Sequence, residues 1–135
     1  METVLKVDPQ LRIVYGWVAL TRFNGQPYVD LQGDVVEAES LQKALRDFML
    51  KGANAGVMHA RDESGRPVVV GKVVEALLLT DEKLEVMFPG NVDLPDSPRG
   101  LFVGIHIQDD RVWEKIKRGE LRGFSLAGKG VRREV

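Results

Sequence analysis

The chain has 135 residues, 44% of them hydrophobic and 29% charged, a balance typical of one soluble globular domain. Its 19 basic and 20 acidic residues give a net charge of -1, which argues against a broad basic surface for nucleic acid. The absence of cysteine excludes disulfides, thiolate metal sites and a cysteine nucleophile, and no apolar run approaches the roughly 18 residues of a membrane span.

The first third of the chain predicts a strand, a loop and a helix. Residues 11–20 are rich in β-branched and aromatic side chains, which is typical of a largely buried strand. Residues 23–34 contain Asn-Gly and Gly-Asp turn signals and predict a loop. A helix is predicted over residues 38–50, with Gly52 as its C-terminal cap. Its apolar face would comprise Leu41, Ala44, Leu45, Phe48 and Met49.

The middle of the chain predicts strands joined by turns. Residues 55–59 form a short apolar strand and residues 61–67 an exposed hairpin turn, after which residues 68–79 predict a long strand. Residues 84–88 and 100–107 predict two further strands.

The last third predicts a loop, a helix and a strand. Residues 89–100 hold three prolines and two glycines, so we expect a loop with little order there. Asp109 or Asp110 would cap a helix that ends at Gly119 and buries Val112, Trp113 and Ile116. Residues 121–128 predict the last strand, followed by a polar tail. Six or so strands and two helices without regular βαβ alternation favour a single domain, an antiparallel barrel or sheet with flanking helices, of which the barrel is the prediction.

Two residues have the chemistry of a nucleophile and its base. His59 follows an apolar strand just before a turn, where its ring could face a cleft from a fixed backbone. Ser125 places a hydroxyl in an otherwise apolar strand, and glycines at 123, 128 and 130 would let a substrate backbone approach closely. Taken singly, each residue also fits a structural position in a strand, so spacing alone leaves both interpretations open.

Five segments follow one another along the chain: DLQGDVV (30–36), DFML (47–50), MHARDESGRPVVVGKVVEA (58–76), GLFVGIHIQDDRVWEKIKRGE (100–120) and GFSLAGKG (123–130). Together they resemble the XkdF-type phage serine proteases, which belong with the prohead proteases that share a fold with the herpesvirus assembly protease. The resemblance extends over nearly the whole chain. It implies a mainly antiparallel β fold of the herpesvirus-protease type.

The resemblance also implies roles for the two candidate residues. In that family the base is a histidine before a turn and a strand with the pattern G-x-V, which corresponds to His59 ahead of Gly71. The nucleophile is a serine in the pattern G-[LF]-S-[LI], which corresponds to Ser125. The segment WEKIKRGE, just before the serine strand, is similar to the family's W-x-x-[IV]-x-x-G-E element.

Related proteases add a third catalytic group and part of the oxyanion hole from segments after the serine strand. This chain continues for ten residues beyond Ser125, and Glu134 is the sole acid there, so we expect either that Glu134 serves or that a C-terminal segment is lacking. Asp30, Asp34 and Glu75 are upstream acids that could orient the histidine instead. The sequence does not select among the four, and each upstream acid also fits a turn or an exposed strand position.

Other polar residues favour structural interpretations. His106 lies in a strand with period-two alternation and is interpreted as structural. Two histidines without an H-E-x-x-H pattern do not predict a zinc site. Basic residues near the serine form either a solvated rim or a contact for an anionic scaffold protein or the oxyanion: Arg118, Arg122, Lys129, Arg132 and Arg133.

The resemblance implies an endopeptidase of prohead maturation that needs no cofactor. Its expected partners are the phage scaffold protein and the major capsid precursor, with a homo-oligomer also expected and neither a membrane nor a nucleic acid as partner. Its expected location is the cytoplasm of the infected bacterial host, inside the assembling prohead. The alternatives are a non-catalytic assembly module with the same fold and a small barrel that binds oligonucleotides or sugars.

Overall fold

The structure is a computed structural model that describes residues 4–30, 33–61, 63–65, 67–90, 97–120, 124–126 and 133–134. Residues 57–61, 67, 124–126 and 133–134 are described by their backbone alone. In chain order the elements are β1 (Val4–Asp8), β2 (Ile13–Phe23), β3 (Gln26–Pro27), β4 (Asp34–Val35), α1 (Ala38–Leu50), β5 (Asn54–Arg61), β6 (Pro67–Leu79), α2 (Asp81–Met87), β7 (Arg99–Ile107), α3 (Asp110–Lys117), β8 (Phe124–Leu126) and β9 (Arg133–Glu134).

The main sheet has the order β1-β2-β7-β6-β5-β8, with β3 beside the end of β2, and every pairing is antiparallel. The predicted antiparallel class is confirmed, but the predicted barrel is wrong because the sheet stays open. A barrel closes only when its last strand pairs with its first. Cα atoms of β8 come within 8 Å of β2, yet no ladder joins the two strands in the described part of the chain.

One face of the sheet carries the hydrophobic core. Val14, Ile105 and Val73 lie opposite one another on three neighbouring strands and are at most 5% exposed. Side chains alternate between the two faces of a strand, so about every second residue of β2, β6 and β7 points into this core, except where register shifts interrupt β2 and β6. Helices α1 and α3 cover it with six buried side chains: Leu41, Leu45, Phe48, Val112, Trp113 and Ile116.

Two of the three described helices match the sequence predictions. Helix α1 spans Ala38–Leu50, as its apolar spacing predicts, and buries three of the five expected side chains. Helix α3 begins after Asp109, whose carboxylate accepts hydrogen bonds from the backbone N–H groups of Arg111 and Val112 at 2.8 and 3.0 Å. This capping explains why a helix starts directly after strand β7.

Helix α2 corrects the prediction of a strand at residues 84–88. Its N-terminus is capped by Thr80, whose hydroxyl accepts from the backbone N–H of Lys83 at 3.2 Å. Asp81 and Glu82 follow in the first turn, where negative charge stabilises a helix. Apolar residues at 84 and 86–88 resemble a strand only when these preceding residues are ignored.

Arg99 connects helix α2 to the start of β7. Its side chain is 7% exposed, and Nε donates to Asp81 Oδ1 at 2.7 Å while Nη1 donates to the carbonyl oxygen of Ser97 at 2.8 Å. The hydrogen bond from Arg99 lowers the pKa of the Asp81 carboxyl, and Arg22 adds a second ion pair at 2.6 Å. Since a buried guanidinium needs partners, this network holds the end of the 89–100 segment against the sheet.

The remaining predictions concern strand ends, loops and the tail. Strand β1 was not predicted, and the expected polar tail contains β9, which pairs with β4 in a separate two-stranded sheet. The last main-sheet strand is observed at Phe124–Leu126, and the rest of its predicted range lies outside the described residues. Of the segment 89–100, which was expected to show little order, residues 91–96 also fall outside them. None of the described helices has the length and apolarity needed to span a membrane.

Candidate active site

The ladder between β5 and β8 brings the two candidate catalytic segments together. Ser125 lies opposite Gly56, and the flanking pairs are Ala55 with Leu126 and Val57 with Phe124. His59 follows on the same strand β5, three positions after the residue that faces Ser125. The expectation that the two residues occupy adjacent strands is therefore met by the backbone. Their side chains lie outside what is described, so the hydrogen bond between them stays a prediction.

Strand β5 is irregular where it carries His59. Gly56 pairs with Val69 and Arg61 pairs with Pro67, so five steps along β5, from 56 to 61, span two steps along β6, from 69 to 67. Extra residues of this kind interrupt the regular alternation of side chains and turn the strand, and they are common next to active sites. The irregularity lies between the residue opposite the serine and the hairpin turn.

The segment of β5 that faces Ser125 is buried and carries only small residues. Ala55 is fully buried and Gly56 has no side chain, so the backbone of β5 itself forms the surface next to the serine strand. On the other side of β5, Gly71 of β6 lies opposite Ala55. These small residues let three strands pack tightly beneath the candidate site.

Gly71 is the glycine of the G-x-V pattern, and the structure gives a physical reason for it. A Cβ atom at this position would lie 2.1 Å from the carbonyl oxygen of His106 and 3.2 Å from the Cα atom of Ile107. Both atoms belong to the backbone of β7, which cannot move away without breaking its own ladder. Only glycine fits where β6 and β7 approach this closely.

We therefore expect Gly71→Ala to lower the free energy of unfolding by about 1–3 kcal/mol or more, as overpacking in a core does. Thermal or urea unfolding followed by circular dichroism measures this. Lys72→Ala is the control at the next position, because its exposed side chain loses only a hydrogen bond to the Gly52 carbonyl and should cost less than about 1 kcal/mol. If Gly71→Ala unfolded at the same temperature or urea concentration as the wild type, the close approach of β6 and β7 at this position would be contradicted.

Three of the four candidate acids meet at the small β4–β9 sheet. Asp34 lies opposite Glu134, and Val35 lies opposite Arg133. Asp30 closes the preceding loop, since its carboxylate accepts from the backbone N–H of Asp34 at 2.9 Å and its own N–H donates to the Asp34 carbonyl at 3.0 Å. Asp34 is 9% exposed and is one of two buried charged residues among those whose burial is described.

Glu75 is separate from this group. It lies on the part of β6 that pairs with β7, beyond Lys72, which is paired with the first residue of β5. Its carboxylate accepts a hydrogen bond from the Tyr15 hydroxyl at 3.1 Å on an exposed face of the sheet. The structure thus assigns Glu75 a partner on β2 and does not bring it to the acids of the small sheet.

The remaining residues singled out in the sequence show no catalytic arrangement. His106 is half-buried in β7 between Ile13 and Lys72. Arg118 pairs with Glu120 at 3.1 Å, while the side chains of the other four basic residues near the serine lie outside the described part. No group of three or more His, Asp or Glu residues that could hold a metal ion occurs in the described ranges.

Sequence reasoning missed the pairing of Asp34 with Glu134. Both residues were candidates for the same role, but nothing local indicated that segments about a hundred positions apart would share a sheet. A two-residue strand has no periodicity to detect, so only long-range pairing could identify it.

Comparison with known proteins places this chain in a family. The family model described as "Putative phage serine protease XkdF" matches residues 1–134. The chain is 30% identical over 118 residues to the phage-like element PBSX protein XkdF of Bacillus subtilis, covering 87% of this chain and 36% of that protein. It is 29% identical over 102 residues to the uncharacterized protein YqbD of the same bacterium, covering 74% of this chain and 27% of that protein.

The chain thus spans about a third of the length of these curated relatives or less. No solved structure matches it.

Proposed function

Because this chain belongs to the XkdF family of phage serine proteases, we propose that it is a serine endopeptidase with Ser125 as nucleophile and His59 as general base. Three observations support the proposal: the family match over nearly the whole chain, the antiparallel pairing of the strands that carry the two residues, and the absence of any cysteine alternative. The pairing of Ser125 with Gly56 carries the most weight, because it is independent of the family's name.

The proposed reaction uses the ordinary chemistry of a serine peptidase. His59 removes the hydroxyl proton of Ser125 as Oγ attacks the carbonyl carbon of the scissile peptide bond. The tetrahedral intermediate expels the amine, which takes the proton from the histidine, and leaves an acyl ester on the serine. Water then attacks the ester with the histidine again as base, which releases the acid and restores the serine. No cofactor enters any step.

Asp34 is the proposed third group that orients the histidine. A triad acid is a buried carboxylate that accepts a hydrogen bond from the other ring nitrogen of the histidine. Asp34 is buried and Glu75 is exposed and bonded to Tyr15, so burial favours Asp34 of these two. Glu134 lies opposite Asp34 and is the alternative from the same small sheet.

The proposed substrates are the scaffold protein and the precursor of the major capsid protein, cleaved during prohead maturation in the cytoplasm of the infected host. The Bacillus subtilis relative is named as a protein of a phage-like element, and this name supports a role in phage particles.

Labelling with a fluorophosphonate probe tests the proposal, because such probes react with serines activated by a base. We expect the wild-type chain to be labelled and Ser125→Ala to remain unlabelled. Ser64→Ala is the matched control, since Ser64 is exposed in the turn between β5 and β6, and it should label like the wild type. An unlabelled wild-type chain that still binds scaffold protein would favour the non-catalytic assembly module instead.

A further inference from the structure

In the described part of the chain, the face of the main sheet opposite the core is aromatic. Tyr15 and Trp17 of β2 lie beside Phe102 of β7, with ring centroids 6.4 and 5.3 Å from Phe102. Leu77 of β6 is paired with Phe102 and is 37% exposed. Helices α1 and α3 pack on the other face, and helix α2 has no buried side chain, so the helices of the described residues do not cover these rings. We call this surface the aromatic face.

The ring of Tyr15 lies flat on this face. A Cβ atom at Gly104 would lie 2.8 Å from Tyr15 Cε1, so the ring occupies the space above the glycine backbone. The hydroxyl reaches across to Glu75 on β6, and Lys6 on β1 lies over the ring at 5.7 Å from its centroid. Lys6, Tyr15 and Glu75 therefore share one row across four strands, with Gly104 between them.

On this face, charged residues of opposite sign lie on strands β1 and β6 in the same row. In the row of Tyr15, the outer residues are Lys6 on β1 and Glu75 on β6. In the neighbouring row, Asp8 on β1 and Lys72 on β6 lie on either side of Ile13 and His106, and the row continues to Asn54 on β5. The Asp8 carboxylate accepts from the backbone N–H groups of Gln10 and Leu11, and Lys72 Nζ donates to the Gly52 carbonyl oxygen. The row of Tyr15 thus ends in one basic and one acidic residue, and Asp8 and Lys72 place a second pair of opposite charges on the same two strands. The third row, with Trp17 and Phe102 at its centre, contains no charge at its β6 end, Leu77.

We propose that the aromatic face binds a second copy of this chain through a two-fold axis that runs along the strands between β2 and β7. Such an axis places strand β1 of one copy opposite strand β6 of the other. Lys6 would then face Glu75 of the second copy, and Asp8 would face its Lys72. In the third row, Trp17 would face the Phe102 ring of the second copy.

The charge pattern decides for a second copy over other occupants. Across this axis each basic residue of β1 or β6 lies opposite an acidic residue of the second copy, so the face is complementary to itself. Binding of an unrelated partner would not require this arrangement. Two sheets packed face to face at about 10 Å would bury the half-buried rings and the exposed Leu77 side chains of both copies. A single-stranded nucleic acid could also stack on the rings, but the Glu75 carboxylate lies beside Tyr15, where phosphates would be repelled.

Sedimentation equilibrium of the full chain tests this dimer by its dissociation constant. Lys6→Glu and Glu75→Lys should each raise the constant about tenfold, since each turns two symmetry-related attractions into repulsions. The double variant exchanges the two charges and should return to within about threefold of the wild type. In one copy the two residues are three strands apart, about 14 Å, so recovery cannot come from a contact within the monomer.

Lys43→Glu is the control, because Lys43 is an exposed residue of helix α1 on the covered side of the sheet, and it should leave the dissociation constant unchanged. A second variant, Trp17→Ser, should give a monomer that keeps the circular dichroism spectrum of the fold. A monomeric wild-type chain at concentrations of about 100 μM would overturn the proposal, as would single reversals without recovery in the double variant. Binding of a labelled single-stranded oligonucleotide that Trp17→Ser abolishes, in a monomeric chain, would assign the face to nucleic acid.

Discussion

Replacing Ser125 by alanine should lower the rate of peptide cleavage by about 10⁴- to 10⁶-fold, because the acyl ester can no longer form. His59→Ala should cost a similar factor, since an unactivated hydroxyl is a poor nucleophile at neutral pH. The double variant should be no slower than either single variant, because the two groups act as one unit. Initial rates on purified scaffold protein, followed by mass spectrometry of the products, measure all three.

Two matched variants separate catalysis from folding. Ser64→Ala removes a serine from an exposed turn, and His106→Gln removes the second histidine from β7. Both should retain cleavage within about threefold of the wild type if Ser125 and His59 alone carry the chemistry. If Ser125→Ala cleaved the same bond at the wild-type rate, Ser125 could not be the nucleophile. If His106→Gln lost activity with an intact fold, His106 of β7 would replace His59 as the general base.

Changing Asp34 to asparagine should lower kcat by about 10²- to 10⁴-fold and affect KM much less. An amide at this position no longer stabilises the imidazolium that forms in the transition state, and it favours the wrong tautomer of the ring. The substitution keeps the size of the side chain, so the loop that Asp30 closes should persist. Steady-state kinetics and a thermal unfolding curve on the same preparation separate a catalytic loss from a structural one.

Glu75→Gln is the control for this substitution, since Glu75 is the upstream acid held by Tyr15 on the aromatic face. It should leave kcat within about threefold of the wild type. Glu134→Gln distinguishes the two acids of the small sheet, because Glu134 lies opposite Asp34. If Glu134→Gln rather than Asp34→Asn removes the activity, the third group comes from the end of the chain.

The sequence by itself determined the parts of this protein that depend on local patterns. The apolar spacing at residues 41–49 predicted α1, and the cap at Asp109 with three apolar residues predicted α3. The order of motifs identified the family and selected Ser125 and His59, whose strands do pair. The strand predicted at 84–88 was wrong because its apolar residues were weighed without the capping Thr80 and the acidic first turn.

Only the tertiary structure decided the features that depend on residues far apart in the chain. The sheet stays open in its described part because β8 approaches β2 without forming a ladder, which alternation within either strand does not reveal. Asp34 and Glu134 meet through a pairing of two residues on each side, too short for a periodic signal. The aromatic face arises because the register places Tyr15, Gly104 and Glu75 in one row. Side-chain patterns act over a few residues, whereas register and closure are set by the packing of whole strands.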